Sequence, residues 1–395
     1  VSATGASRAV GVIGLGGLGS ATAYWLAKRG VDVVGFEQFE LGHVRGASHD
    51  HSRIIRRSYH TPEYVELTAD AYSSWEAVER DADQQIITRT GGIDLFPPGA
   101  AIDASTYTGS LAAAGVPYEW IDGDEVRRRW TAFAHGTLID TDVHAVYSAE
   151  TGIVPAGPGT AIMQRLAVEY GADLRPHSPV AAVRPVDGEV DVVLASGEVV
   201  RCGSVVIAAD AWTNRLLAPL GHQIPLAVTR EQVSYFPHAD LERFAVGRFP
   251  VWIWMDDPSF YGFPVFGRLD GVKGSEDCGG AEVDPDTRTF EPDAGMEHRL
   301  AEFMTSLVGG GFGAPSTTTC LYTLTSDRDF VCDRLPDHPQ IAVALGAAHG
   351  FKFAAWFGRE LAGLAVGEPV PPALAPFAFD RPSLRVPISR EAWMV

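Results

Sequence analysis

Three glycines, Gly14, Gly16 and Gly19, stand in the spacing GxGxxG, and an acid, Glu37, follows them at the end of an apolar run. The first glycine of such a set permits a tight turn, and the second lets backbone approach a pyrophosphate. The third lets a helix pack closely on a strand, and the helix N-terminus turns its partial positive charge toward the phosphates. An acid about 20 residues on accepts a hydrogen bond from a ribose hydroxyl. The spacing therefore points to a dinucleotide without saying which one. A second polar cluster lies in GASHDHSRIIRRSY (46–59), where Arg53, Arg56 and Arg57 crowd together in an acidic protein. The planar fork of arginine suits a phosphate, a cofactor ring or a substrate carboxylate; the plainer alternative is a basic surface patch. His43, His49, His51 and His60 show no metal-like spacing with nearby acids, so no metal is expected.

These residues need elements to hold them. Residues 10–13 read as a buried parallel strand, the apolar-periodic segment through Ala23, Leu26 and Ala27 as a helix closed by Gly30, and 31–36 as a second strand with Glu37 at its end. The spacing predicts a helix over 61–79, a strand over 86–96 broken by Pro97-Pro98-Gly99, and an acid-capped helix over 122–130. A strand or turn at 150–154 leads into a helix over 159–170. Short strands then close with a buried one at 205–209, which returns the chain to the first sheet and makes the dinucleotide domain discontinuous. Aromatic and β-branched runs at 225–236 and 251–266 suit an antiparallel sheet in a separate domain. A helix is expected over 297–308. Near the end, a strand at 341–345, a glycine turn and a helix at 353–364 repeat the layout of the opening stretch, so a second turn is expected to meet the same ligand. The expected class is α/β: a discontinuous Rossmann-type domain (1–85, 150–224 and 321–395) and an α+β substrate domain on a mostly antiparallel sheet (86–149 and 225–320).

Composition excludes some partners. A net charge of −19 repels nucleic acid and anionic membranes. No apolar run approaches the ~20 residues that span a bilayer. The short polar leader lacks a signal-peptide pattern, so a cytoplasmic protein, monomeric or a small homo-oligomer, is expected. The four cysteines show no CxxC and no zinc-like spacing, and read as thiols.

Taken in order, the blocks GVIGLGGLGS, SHDHSRIIRR, TGIVP, VVIAADAWTNRLL, VTREQVSYF, FYGFPVFG, TCLYTLTSDRDF and GAAHGFKFAAWFGRELAGL, with the tail FAFDRPSL, resemble the flavin amine oxidases of the monomeric sarcosine oxidase and N-methyltryptophan oxidase family. That family sits within the glycine oxidase and D-amino-acid oxidase group. The likeness spans nearly the whole chain. It implies FAD, with Gly14, Gly16, Gly19, Glu37, Ser48, Arg53, Val180, Gly346, Gly350 and Lys352 in the cofactor site and a thioether from the flavin to Cys320. It implies that Arg56 and Lys352 hold a substrate carboxylate, since two cations converging on one make charge-assisted hydrogen bonds. Arg53 matches the position beside the flavin, and Tyr261 and Tyr322 match pocket aromatics. Lys273 matches the lysine on the oxygen-reacting face, where a fixed positive charge favours electron transfer to oxygen.

Departures from the pattern bear on the substrate. Asp277 stands where sarcosine oxidases carry an active-site histidine, Asp210 replaces a glycine, and Ala347-Ala348 replace a more polar pair. The resemblance then implies oxidation of a secondary or cyclic amino acid to its imine, with O2 consumed and H2O2 released, and a substrate other than sarcosine. The rival readings are a flavin dehydrogenase passing electrons to a carrier, an NAD(P)-dependent reductase, and a flavin-binding protein without catalysis.

Overall fold

The computed structural model describes residues 8–267 and 270–388; the polar leader, residues 1–7, lies outside them. The apolar run VGVI does form a buried strand, Arg8–Ile13, central to an eight-stranded sheet. Parallel neighbours flank it: Val33–Phe36 on one side, followed by Asp173–Arg175, and Val199–Ile207 on the other, followed by His338–Leu345. Continuous apolar runs suit strands covered on both faces. The helices Gly17–Lys28, Ala156–Glu169 and Ala354–Ala365 pack together over the sheet, and Trp25 Nε1 donates to Ala355 O at 2.8 Å. The short strands predicted after 170 are the antiparallel Val180–Val186 and Glu189–Leu194, the second of which pairs with the first half of Val199–Ile207.

The second sheet has nine strands. Leu226–Phe236 lies between Ser316–Thr325 on one side and Val272–Glu276 and Ala281–Glu282 on the other. Phe260–Phe263, Val251–Trp254, Gly92–Phe96, His144–Ser148 and Glu119–Asp122 continue it. Every pairing is antiparallel except that of Val251–Trp254 with Gly92–Phe96. The mixed α/β class with a mostly antiparallel second sheet is thus as expected. Two details differ. The run 86–96 is split at Gly91 (φ +68°) into Thr88–Arg89, which joins Arg53–Ile55 and Gly152–Val154 in a small third sheet, and Gly92–Phe96. The boundary expected at 321 falls inside the strand Ser316–Thr325, whose ladder with Leu226–Phe236 runs unbroken from Ser316 to Thr325. A ladder of backbone hydrogen bonds cannot be divided there without leaving donors and acceptors unpaired.

Candidate active site

The glycine loop follows Arg8–Ile13 directly. Gly14 has φ +89°, and a Cβ there would sit 2.5 Å from Ala208 O. A Cβ on Gly19 would fall 1.8 Å from Gly14 O, so the helix could not sit as close to the turn. Ser48 Oγ accepts a hydrogen bond from Gly17 N at 2.9 Å, and Gln164 Nε2 donates to Leu15 O at 2.9 Å. Glu37 closes the far side. Its carboxylate accepts from Leu15 N (3.0 Å) and Phe39 N (3.1 Å), with His43 Nε2 at 3.3 Å. Burial opposes ionisation of Glu37, but these hydrogen bonds outweigh it and hold its pKa below the ordinary value. A cavity bordered by Gly14, Glu37, His43, Ser48 and Val180 opens here.

That cavity runs into a second one, and Gly16, Ala47, Ser48, Ala208 and Asp210 border both. The second is bordered by Arg53, Arg56, Tyr261, Asp277, Tyr322, Gly346, Gly350 and Lys352. Residues from five separate stretches of sequence thus meet around one space. Tyr261 and Tyr322 face each other with hydroxyls 3.3 Å apart. The turn expected to meet the same ligand does border it, and it carries positive φ at two alanines, Ala347 (+45°) and Ala348 (+73°). Asp210 also has positive φ (+46°), the conformation that glycine adopts most freely. Burial pushes its pKa up to about 6.

The cations differ in their partners. Arg56 is buried and its Nη1 donates to Asp94 Oδ1 at 3.2 Å, with Tyr59 stacked 4.9 Å from the guanidinium. Lys352, half-buried in the cavity wall, has no hydrogen bond or ion pair to its Nζ among the described residues; the Tyr59 ring lies 5.6 Å away. Burial first, and then the nearby Arg56, draw its pKa down to about 7, with Asp277 opposing. Lys273 does not border the cavity directly. It is 2 % exposed and donates to Asp50 Oδ2 at 2.6 Å and to Ser52 O and Ser52 Oγ at 2.9 Å each. Arg53, which does border the cavity, stands 3.5 Å from the same Asp50 oxygen.

Cys320 lies just behind the wall, two residues before Tyr322 on one strand. Residues i and i+2 share a face of a sheet, so Cys320 points to the cavity side with Tyr322. Burial raises its pKa to about 11 against the pull of Arg53. Opposite it in the ladder is Glu231, buried, with a pKa pushed up to about 7 by burial despite a hydrogen bond from Thr229. Arg328 also borders the cavity; its Nη2 lies 3.0 Å from Cys278 Sγ.

The residues suit FAD. Gly14 and Gly19 make a turn at a helix N-terminus that no side chain fits, the ionised Glu37 borders the adjoining cavity, and two cavities with shared lining offer an elongated space. The profile of the family described as FAD dependent oxidoreductase matches residues 9–364. The chain belongs to that family. A monomeric sarcosine oxidase of Streptomyces avermitilis is 35% identical over 370 residues, covering 90% of this chain and 92% of its own. The human peroxisomal sarcosine oxidase is 30% identical over 382 residues (94% and 96%). Among solved structures, NikD, described as an unusual amino acid oxidase essential for nikkomycin biosynthesis, superposes with a TM-score of 0.85 at 25% identity, covering 94% of this chain and 97% of its own. The likeness drawn from the sequence blocks is therefore sound, and the chain is an FAD-dependent oxidoreductase. No described helix is long and apolar enough to cross a membrane.

Several residues of this FAD-dependent oxidoreductase site carried no signal that sequence reasoning used. Asp94 could have been noticed as a carboxylate inside an apolar strand, GIDLF. Asp50, Tyr235, Glu231 and Arg328 lie inside the blocks that carry the resemblance, but nothing in those blocks marks them for a role, and only the fold brings them here.

Proposed function

We propose that this enzyme oxidises a secondary or cyclic amino acid at its C–N bond to the imine, with O2 as acceptor and H2O2 as product. The observation that carries this reading is Lys352: an amino group in the cavity wall with no hydrogen bond or ion pair among the described residues, beside the buried Arg56. An anion is what such a group lacks, and a substrate carboxylate supplies one. Arg56, buried and paired with Asp94, adds a second positive charge beside Lys352. Tyr261 and Tyr322 border the same space, so that a bound amino acid is oriented by the cations and enclosed by the aromatic rings. FAD, when bound, supplies the two-electron acceptor for the C–H bond next to nitrogen. Attachment of the flavin through Cys320 is part of the proposal, supported by the shared face of Cys320 and Tyr322.

The substrate is one larger or more polar than sarcosine. Asp277 and Arg328 border the cavity and offer charge of both signs beyond what a carboxylate and one N-methyl group use. The likeness to NikD agrees with a role in specialised metabolism. Anaerobic mixing with a panel of secondary and cyclic amino acids tests this by bleaching of the flavin. Bleaching by none of them removes the reading, and sarcosine turning over as fast as the best of the panel removes its substrate part.

A second reading, electron transfer to a carrier rather than oxygen, is favoured by one observation: Lys273 is ion-paired to Asp50, which offsets the charge meant to assist oxygen. Oxygen uptake with substrate and no added acceptor separates the two.

A further inference from the structure

Lys273 and Tyr235 are directly paired across two antiparallel strands, so their side chains leave the sheet on one face. Both reach the same carboxylate, one to each oxygen. Tyr235 Oη donates to Asp50 Oδ1 and Lys273 Nζ to Asp50 Oδ2, each at 2.6 Å. Asp50 is held for this by a left-handed backbone (φ +81°) and by its carbonyl, which accepts from Gly157 N at 2.9 Å. An ammonium group has three donors, and Asp50 Oδ2, Ser52 O and Ser52 Oγ take all of them. The Phe263 ring lies 4.5 Å from the same nitrogen. Lys273 is therefore fixed in direction and has no free proton to donate.

The lysine itself is an unusual residue here. The chain holds three lysines, Lys28, Lys273 and Lys352, against 28 arginines. Two of the three stand at or behind one cavity wall.

We propose that Asp50 is a positioning residue for Lys273: it keeps that ammonium charged and aimed, and so sets the pH range in which the enzyme gives electrons to oxygen. This rests on the reading of Lys273 as the oxygen-side lysine. The groups facing Lys273 are the Asp50 carboxylate, the Arg53 guanidinium, the Cys320 thiol, the Tyr235 hydroxyl and, further off, the His49 imidazole. Burial lowers the lysine's pKa and Asp50 holds it up against both burial and Arg53, leaving it at about 8. Without the carboxylate, burial and Arg53 prevail, and the lysine loses its charge at a lower pH.

With three lysines, a holoenzyme grown on lysine labelled with carbon-13 at Cε gives three resonances, and Lys273→Met identifies the one that matters. The expected result is a titration midpoint near 8 in the parent protein and a fall of about 1–3 pH units in Asp50→Asn, the range for losing a close opposite charge. Asp50→Ser makes the same comparison if the asparagine variant does not fold, and Asp50→Glu should restore a midpoint near the parent's. Flavin reoxidation, followed by stopped flow, should decline through the same midpoint in each protein, so the neutral variants regain speed in acid. An unmoved Lys273 midpoint in both neutral variants overturns the role of Asp50. Unchanged reoxidation in Lys273→Met instead overturns the assignment of Lys273, a separate failure that the resonance titration does not share.

Discussion

Arg56 and Asp94 form an ion pair at 3.2 Å in which neither side chain is more than 6 % exposed. The arginine proposed to hold the substrate carboxylate is therefore partly neutralised by the protein itself. Removing one partner of a buried pair leaves an uncompensated charge and costs about 3–5 kcal/mol. Asp94→Leu alone should lower the unfolding free energy by that amount. Arg56→Met in the same chain should recover part of it, because no buried charge is then left without its counter-charge, while the hydroxyls of Ser58, Tyr59 and Tyr107 lose their charged partners. Denaturant unfolding of the two single variants and the double variant measures this. If the double variant falls by the sum of the single losses, the pair is not the unit argued here.

How much of this was legible in sequence depends on how far apart partners lie along the chain. Gly14, Gly16, Gly19 and Glu37 are one local unit, and strand, turn, helix and acid follow each other in register, so spacing alone points to the site. Lys273 and Asp50 lie 223 residues apart. Their pairing depends on a strand of the nine-stranded sheet packing on a loop that follows the first sheet, which no local pattern encodes. Resemblance supplied Lys273, Arg56 and Lys352 as cations. It supplied neither Asp50 nor Asp94, because a likeness of motifs reports which residues are present, not what charge surrounds them. The boundary expected at 321 divides a strand, because backbone pairing keeps the whole of Ser316–Thr325 beside Leu226–Phe236.

Lys352 has a pKa drawn down to about 7, so it is charged below that pH and neutral above it. Binding a carboxylate favours the charged form and raises the pKa in the complex. Affinity for a carboxylate should then be full below about pH 7, fall by up to tenfold per pH unit above it, and level off at the pKa of the complex. Titrating the flavin spectrum with a simple carboxylate between about pH 6 and pH 9 tests this sign. Lys352→Met should bind weakly and without that slope. A slope of equal size in the variant would assign it to another group.

Cys320 makes a covalent flavin checkable without any substrate. Acid precipitation of the purified protein should carry the yellow colour into the pellet, and Cys320→Ser should release it to the supernatant while the fold stays intact by circular dichroism. Serine replaces a buried thiol of similar size, so stability should change by only about 1 kcal/mol. Colour wholly in the supernatant of the unaltered protein rejects the thioether.

A role for Asp277 in choosing among substrates is part of the proposal. Its backbone N donates to Ser259 O at 2.9 Å, which fixes where the side chain begins, and it borders the same cavity as Tyr261, Tyr322 and Lys352. Its charge acts on all three of those groups. A substrate with a second polar or cationic group gains a charge-assisted hydrogen bond there, worth about 1.5–3 kcal/mol. Asp277→Asn should therefore lower kcat/KM for such a substrate by about 10- to 100-fold. Sarcosine, with nothing to offer that carboxylate, should change by less than about threefold. Steady-state rates for the two substrates in both proteins decide the matter. An equal loss for both would mean that Asp277 supports the cavity wall rather than reads the substrate.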